Sequence, residues 1–338
     1  QREGTPPPAE SLLSHLPGFQ TSLRVLEGLK ESSVKAYSEK LKEFIAWLEG
    51  NAIPADPVAL THKDIEKYLE WCFYQDNSNQ TRYTKLTALA KFFRYLKYEG
   101  MISEDITVNI PRPVLSKKLM LTFTREEVLR FFRQCDITKE KGLRDVCILI
   151  LAAFCGLRMN EIITIDLNDI IDDGKDIDIN VKGKKDNDRQ VYLWKAPGLF
   201  IRQYLMIRLS HGARGSDPFL VSYKKGSRLK GRRLTAASID RLIKDLAEKA
   251  AIRKAEIHAH MFRATHANDL QHVKGYRLPA IQERLGWKDL STAGRYLVRR
   301  ERIHREYNSL YEYWKEFNSI WRIKKDDDNG GAGNVEGQ

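Results

Sequence analysis

Cysteine is scarce in this chain: four residues, Cys72, Cys135, Cys147 and Cys155, with no CxxC pair among them. That excludes a disulfide-rich scaffold and the usual paired-thiol metal motifs. The three cysteines that fall inside apolar helical patterns read as reduced, buried thiols. Long apolar runs are missing too. The longest, Val146 to Leu157, is broken only by Gly156 and falls short of the ~18 residues that mark a membrane span. The start of the chain, Gln1 to Glu10, is polar, carries Pro6, Pro7 and Pro8, and has no apolar signal region. An intracellular protein without structural metal, disulfides or membrane is expected.

Negative charge is in deficit. Lys plus Arg number 57 against 45 Asp plus Glu, a net charge of +12, which favours a polyanionic partner, nucleic acid or an anionic surface. Hydrophobic residues at 42% and charged ones at 30% are ordinary for a folded soluble protein. The length of 338 residues suggests about two domains, each large enough for its own core.

From about Glu31 to Gly100 the pattern is helical. Tyr37, Leu41, Phe44, Ile45 and Leu48 recur at helical spacing behind a Ser32 or Ser33 N-cap. A second helix starts at Thr61 with Asp64 as its capping-box partner and turns Ile65, Leu69 and Cys72 inward. A third runs from about Asn79 to Tyr98 and stops at Gly100, with Leu86, Leu89, Phe93 and Leu96 on its apolar face. Lys85, Lys91 and Arg94 on the same helix are either a solvated face or a nucleic-acid-facing one.

Ile110 to Lys118 carries Pro111, Pro113 and the pair Lys117 and Lys118, a helix-breaking, extended stretch that marks the best domain boundary. Beyond it, Thr124 and Glu127 form a capping box, and Leu143 to Cys155 reads as a strongly apolar helix ended by Gly156. Between Ile177 and Leu193 the period changes to alternation. Ile177, Ile179 and Val181 share one face, and Val191 and Leu193 follow after a charged tip, which together describe a β-hairpin. Helices resume at about Pro197 to Leu209, Thr235 to Ala250, His260 to Gln271, Leu278 to Leu285 and from Ser291. The segment Lys224 to Arg233 is dense in cations: Lys224, Lys225, Arg228, Lys230, Arg232 and Arg233. Such a block repels itself unless an anion neutralises it, so a phosphate-contacting loop is expected. From about Glu301 the aromatics Tyr307, Tyr311, Trp314, Phe317 and Trp321 recur with Ile303, Leu310 and Ile320 at helical spacing and need a partner surface. The acidic, Gly-rich end from Asp326 reads as a disordered tail.

Four segments stand out together in the larger domain: Gly156-Leu157-Arg158 with Glu161 one helical turn on, Lys182-Gly183-Lys184-Lys185, His260-Met261-Phe262-Arg263 followed by Thr265-His266, and Leu285-Gly286-Trp287 followed by Tyr296. This ordered set resembles the tyrosine site-specific recombinases, the phage integrase family. The resemblance spans roughly Phe123 to Tyr296, and the helical N-terminal unit resembles the family's core-binding domain. It implies a mainly α protein with a small β-sheet, an α+β catalytic domain beside an all-α core-binding domain, together a C-shaped clamp on DNA. The expected organisation is a flexible segment 1–18, a DNA-binding domain 19–110, a linker 111–118, a catalytic domain 119–300, a C-terminal helix 301–325 exchanged between protomers, and a tail 326–338.

The resemblance also implies the chemistry. Tyr296 is the expected nucleophile, forming a 3′-phosphotyrosine link and releasing a 5′-hydroxyl; the link conserves the bond energy, so no metal or other cofactor is needed. Arg158 and Arg263 suit the charge that builds on a pentacoordinate phosphorane, since each guanidinium is planar and stays charged. Lys185 is the expected acid for the leaving oxygen, with Lys184 or Lys182 as alternatives on the same tip. His260 accepts or shares the tyrosine proton. Trp287 stands where many members have His; an indole N–H donates but moves no proton, so it positions and packs. Glu161 and His266 are expected to support. The implied partners are double-stranded DNA with an inverted-repeat recombination site, a homotetramer on two duplexes through the C-terminal helix, strand exchange via a Holliday junction, and accessory proteins. The expected location is cytoplasmic and nucleoid-associated. Two other readings remain at this point: a type IB topoisomerase, which shares the chemistry, and a non-catalytic DNA-binding protein.

Overall fold

The computed structural model describes residues 11–115, 120–183, 188–193, 195–223, 231–272 and 275–287. The chain divides into two compact units, 1–117 and 118–338.

The first unit is all helical: α1 (Leu16–Val25), α2 (Glu31–Gly50), α3 (His62–Tyr74) and α4 (Asn79–Tyr98). One core holds it together, with Phe19, Leu41, Phe44, Leu48, Tyr68, Phe92, Phe93 and Leu96 all buried. Helix α1 is an addition to the sequence reading. Residues 16–18, expected in a flexible segment, already belong to it. Pro17 sits in its first turn, where a missing N–H costs nothing, and Phe19 meets Phe92 edge-on at 5.2 Å. Helix α2 begins at Glu31 with Lys30 as its N-cap, two residues before the first expected serine cap, and has no side-chain cap. The Thr61 capping box is present: Asp64 Oδ2 accepts from the Thr61 backbone N–H at 3.0 Å. On α3 the inward residues are Ile65, Tyr68 and Cys72, while Leu69 is half-buried. Helix α4 occupies the expected span and turns out of helical geometry at Gly100, φ +75°.

The second unit contains α5 (Arg125–Arg133), α6 (Glu140–Ala153), α7 (Met159–Thr164), a 3-10 turn (Leu167–Asp169), β1 (Ile170–Asp172), β2 (Ile177–Val181), β3 (Arg189–Leu193), α8 (Lys195–Ser210), α9 (Ala236–Lys249), α10 (His260–His272) and α11 (Leu278–Leu285). Helix α6 is its axis. Every residue from Gly142 to Ala153 is buried: Val146 to Ala153 is apolar all round and must be covered on all sides, and Arg144 and Asp145 are buried as an ion pair. The strands form an antiparallel sheet in the order β1-β2-β3, with Ile177 opposite Leu193, Ile179 opposite Val191 and Val181 opposite Arg189. The hairpin matches the alternating pattern. Strand β1 was not anticipated, since three residues are too few for a period to show. All four cysteines are buried free thiols.

The chain is thus mostly helical with a small sheet in its second unit. Among the described residues, no helix is long and apolar enough to cross a membrane.

Candidate active site

Helix α6 ends at Ala153, and three residues on Gly156, with a φ of +62°, turns the chain back, Leu157 N–H reaching Leu151 O at 3.1 Å. The turn delivers Arg158 to the N-cap of α7. A side chain at Gly156 has no room: an added Cβ would lie 2.6 Å from His266 Cδ2 and 2.7 Å from Leu285 Cδ2. This close approach brings α6, α10 and α11 together at one point.

Glu161 is the hub there. It is 7% exposed, and its carboxylate accepts from Arg158 twice: the backbone N–H to Oε2 at 2.8 Å and Nη1 to Oε1 at 2.8 Å. From the other side Arg189, the first residue of β3, donates Nη1 to Oε1 at 3.1 Å and Nη2 to Oε2 at 2.9 Å. Arg263 Nη1 stands 3.8 Å from Oε2. Burial opposes the charged carboxylate, yet the hydrogen bonds and charge of Arg189, with those of Arg158, outweigh it and hold the group at about 2.

The two arginines expected to act together also share an anchor. Arg158 Nη2 donates to Gly286 O at 3.1 Å, and Arg263 Nη2 donates to the preceding carbonyl, that of Leu285. Arg263 Nη1 further donates to Gly156 O at 2.6 Å. They differ in access. Arg263 is fully buried, whereas the Arg158 side chain is 36% exposed.

His260 opens α10 and is half-buried, one turn before Arg263. Burial, then the positive charges of Arg263 and Arg158 and the neighbouring His258, lower its pKa below the usual imidazole value, so the ring is neutral at pH 7. His266 is buried inside α10. Desolvation, with Arg284 and Arg263 nearby, pushes it well below the ordinary value, and Arg284 Nε lies 3.4 Å from its Nε2. A neutral ring packed against Gly156 supports the turn. Trp287 is buried with Ala264, Ala267, Leu270, Ile281 and Leu285, and its carbonyl accepts from Gln282 Nε2 at 3.1 Å. Gly286, φ +60°, makes the tight exit from α11 that puts both carbonyls in reach.

Arg158, Glu161, His260, Arg263, His266 and Trp287 therefore converge. Lys117, Lys118, Lys184, Lys185, Lys224, Lys225, Arg228, Lys230 and Tyr296 lie outside the described residues, as does the aromatic segment from Glu301. The remaining cations differ in burial and in what they meet. Lys85 does not face outward: it is 5% exposed, its Nζ is 2.5 Å from Glu43 Oε1, and it lies over the rings of Tyr68 and Trp71. Lys91 is paired with Glu27, while Arg94 is exposed. Lys182 is held by Asp166 at 3.0 Å and Asp169 at 3.2 Å. Arg233 pairs with the same Asp166 and donates to Ile163 O at 2.8 Å, tying the chain after α7, whereas Arg232 is exposed. Arg189 was missed by the sequence reading. Its only local signal was an arginine opening a strand beside a charged tip, which carries no information about a carboxylate far away in the chain.

The phage integrase family model matches residues 122–302, and a phage integrase N-terminal SAM-like domain matches residues 16–101. The chain belongs to the phage integrase family. Members are tyrosine recombinases, enzymes of DNA strand cleavage and rejoining, and this chain is one of them. It is 28% identical over 277 residues to the tyrosine recombinase XerD of Pseudomonas aeruginosa, covering 81% of this chain and 89% of that protein. It is 28% identical to the tyrosine recombinase XerC of Alcanivorax borkumensis over 311 residues, covering 92% and 95%. The family fold recurs in the XerH site-specific recombinase bound to palindromic difH substrate, a post-cleavage complex, with a TM-score of 0.66 at 20% identity over 91% of this chain and 84% of that one. It recurs in a lambda integrase tetramer bound to a Holliday junction, with a TM-score of 0.64 at 16% identity over 86% and 78%.

Proposed function

We propose that this recombinase recognises a specific DNA site and cuts one strand by attack of the Tyr296 hydroxyl on phosphorus, leaving a 3′-phosphotyrosine and a free 5′-hydroxyl. The observation that carries this is the gathering of Arg158 and Arg263 on one buried carboxylate and two consecutive carbonyls at the end of α11. Two guanidiniums so fixed need no rearrangement when charge builds on a phosphorane, which is the condition for electrostatic catalysis. Arg158 meets the phosphate first. Arg263 holds the Gly156 and Leu285 backbone and adds its charge from behind. Neutral His260 is in the state that accepts the tyrosine proton.

The leaving 5′-oxygen takes its proton from a hairpin lysine. The double ion pair of Lys182 with Asp166 and Asp169 holds it away from that duty and favours Lys185, with Lys184 as the alternative. Trp287 packs and positions. The exposed Arg94 and Arg232 contact phosphates, together with Lys117, Lys118, Lys224, Lys225, Arg228 and Lys230. The DNA-binding domain 19–110 and the catalytic domain 119–300, joined by the linker 111–118, both contact the duplex. The substrate is double-stranded DNA with an inverted repeat, and four protomers joined through 301–325 exchange strands on two duplexes via a Holliday junction.

The test is covalent trapping. The wild-type chain is incubated with a nicked duplex whose sequence has been selected from a random pool by binding to this protein. A denaturation-resistant protein–DNA adduct is expected from the wild type and none from Tyr296→Phe. Arg158→Ala should lose cleavage while keeping most of its DNA affinity, because its charge matters most in the transition state. Binding without adduct in the wild type would overturn the proposal in favour of a non-catalytic DNA-binding role.

A further inference from the structure

Arg189 lies outside the residue set that the strand-cleavage proposal uses, yet it has more contacts to that set than any solvent-facing arginine would need. It is rooted on β3 opposite Val181, the last residue of β2, so it moves with the hairpin. Its guanidinium crosses to Glu161 with both terminal nitrogens, at 3.1 and 2.9 Å, and its Nε donates to Arg284 O at 3.0 Å. Its side chain is 9% exposed. A Cβ at Gly286 would come within 2.9 Å of Arg189 Nη1, so the absence of a side chain there is what lets the fork through. Arg158 takes the opposite edge of the same carboxylate.

The geometry points to Arg189 as a positioning residue for strand cleavage: it fixes Glu161 in the one orientation that presents Arg158, and so ties the β2-β3 hairpin to the phosphate-binding arginine. The inference rests on the cleavage reading given above. It follows from the bidentate fork, which sets the plane of the carboxylate as a single point charge would not. A hairpin that carries the leaving-group acid and is rigidly linked to the guanidinium on the phosphate keeps donor and phosphorus in register.

The charged groups facing Glu161 are Arg189 from β3, Arg158 from the start of α7 and Arg263 from α10, with His260 close enough to feel its charge. Removing Arg189 leaves burial less opposed, so the carboxyl protonates at higher pH. Single-turnover cleavage of the nicked, selected duplex is measured against pH for wild type, Arg189→Gln, Arg189→Lys, Glu161→Gln and the double variant Arg189→Gln/Glu161→Gln, with DNA affinity and melting temperature in parallel. Arg189→Gln should lose about 10- to 100-fold in rate, as outer-shell partners do. Its affinity should be unchanged and the acid limb of its rate profile should move to higher pH. Arg189→Lys, which keeps the buried charge without the fork, should recover only part of the rate. Adding Arg189→Gln to Glu161→Gln should cost little more.

Should Arg189→Gln not fold, the lysine variant decides: wild-type rate and pH profile there would overturn the inference. Losses that are additive in the double variant, or a rate that falls only in step with melting temperature and with no shift of the acid limb, would also overturn it. An absence of adduct from the wild-type chain would remove the cleavage reading and this inference together, whereas a wild-type adduct with an unaffected Arg189→Gln removes the inference alone.

Discussion

Replacing Glu161 by Gln removes the charge on which three guanidiniums converge while keeping the side chain's size. The ordinary carboxyl value is 4.5 and the folded one about 2, a difference of about 2.5 units. At 1.36 kcal/mol per unit, ionised Glu161 contributes about 3 kcal/mol to folding at neutral pH. The side chain is 7% exposed, so solvent screening discounts this little. The sign follows from the depression: the contribution is complete above pH 4.5 and fades as pH falls toward 2, where the folded carboxyl protonates too. Glu161→Gln should therefore be about 3 kcal/mol less stable than wild type at pH 7, in line with the cost of orphaning buried charges, and the gap should close below pH 4.5. Equilibrium urea unfolding of both proteins at a series of pH values measures it. A gap under about 1 kcal/mol at pH 7, or one of constant size down to pH 3, would refute the claim that this carboxylate is ionised and held by Arg158 and Arg189.

Gly156→Ala should destabilise the second unit strongly, since a left-handed φ of +62° adds to contacts of 2.6 and 2.7 Å, while Gly286→Ala, φ +60° and 2.9 Å from Arg189 Nη1, should cost about 1–2 kcal/mol and slow cleavage as well. Melting temperatures and single-turnover rates separate the two. Lys85→Met should leave the slope of log affinity against log salt unchanged, because the buried amine meets Glu43 and contacts no phosphate, whereas Arg94→Ala should reduce that slope by about one counterion. If His260 accepts the tyrosine proton, its lowered pKa keeps the base form present below the usual imidazole value. The acid limb of wild-type cleavage attributable to His260, identified by its loss in His260→Gln, should then fall below pH 6.5, and a limb above 6.5 would contradict that assignment.

Much of the fold was legible because local patterns carry it. The Thr61 and Thr124 capping boxes, the span of α4 and the alternating Ile177, Ile179 and Val181 each report a backbone state through neighbouring residues. Helix α1 was not: residues 1–18 were expected to be a flexible segment, whereas the helix begins at Leu16 with Pro17 in its first turn, where a missing N–H costs nothing. At the site, the order of Arg158, His260, Arg263 and Trp287 was enough to assign a family and a chemistry. Which cations stay free was beyond it. On α4, Lys85 lies at helical spacing with the buried Leu89, Phe92 and Leu96 and Arg94 half a turn away on the exposed side, but that a lysine can stay on the buried face follows only from Glu43, Tyr68 and Trp71, which meet its charge.

Composition, helical period and motif order were properties of the chain alone; they set the class of fold, the positive charge, and the residue types able to hold a phosphorane. The tertiary structure decided the partnerships. Glu161, Arg189, Arg263 and Gly286 belong to four separate elements, and only folding brings their charges and carbonyls within 4 Å, where burial multiplies each interaction. Hydrogen bonds and ion pairs depend on distance in space, and a sequence records only distance along the chain.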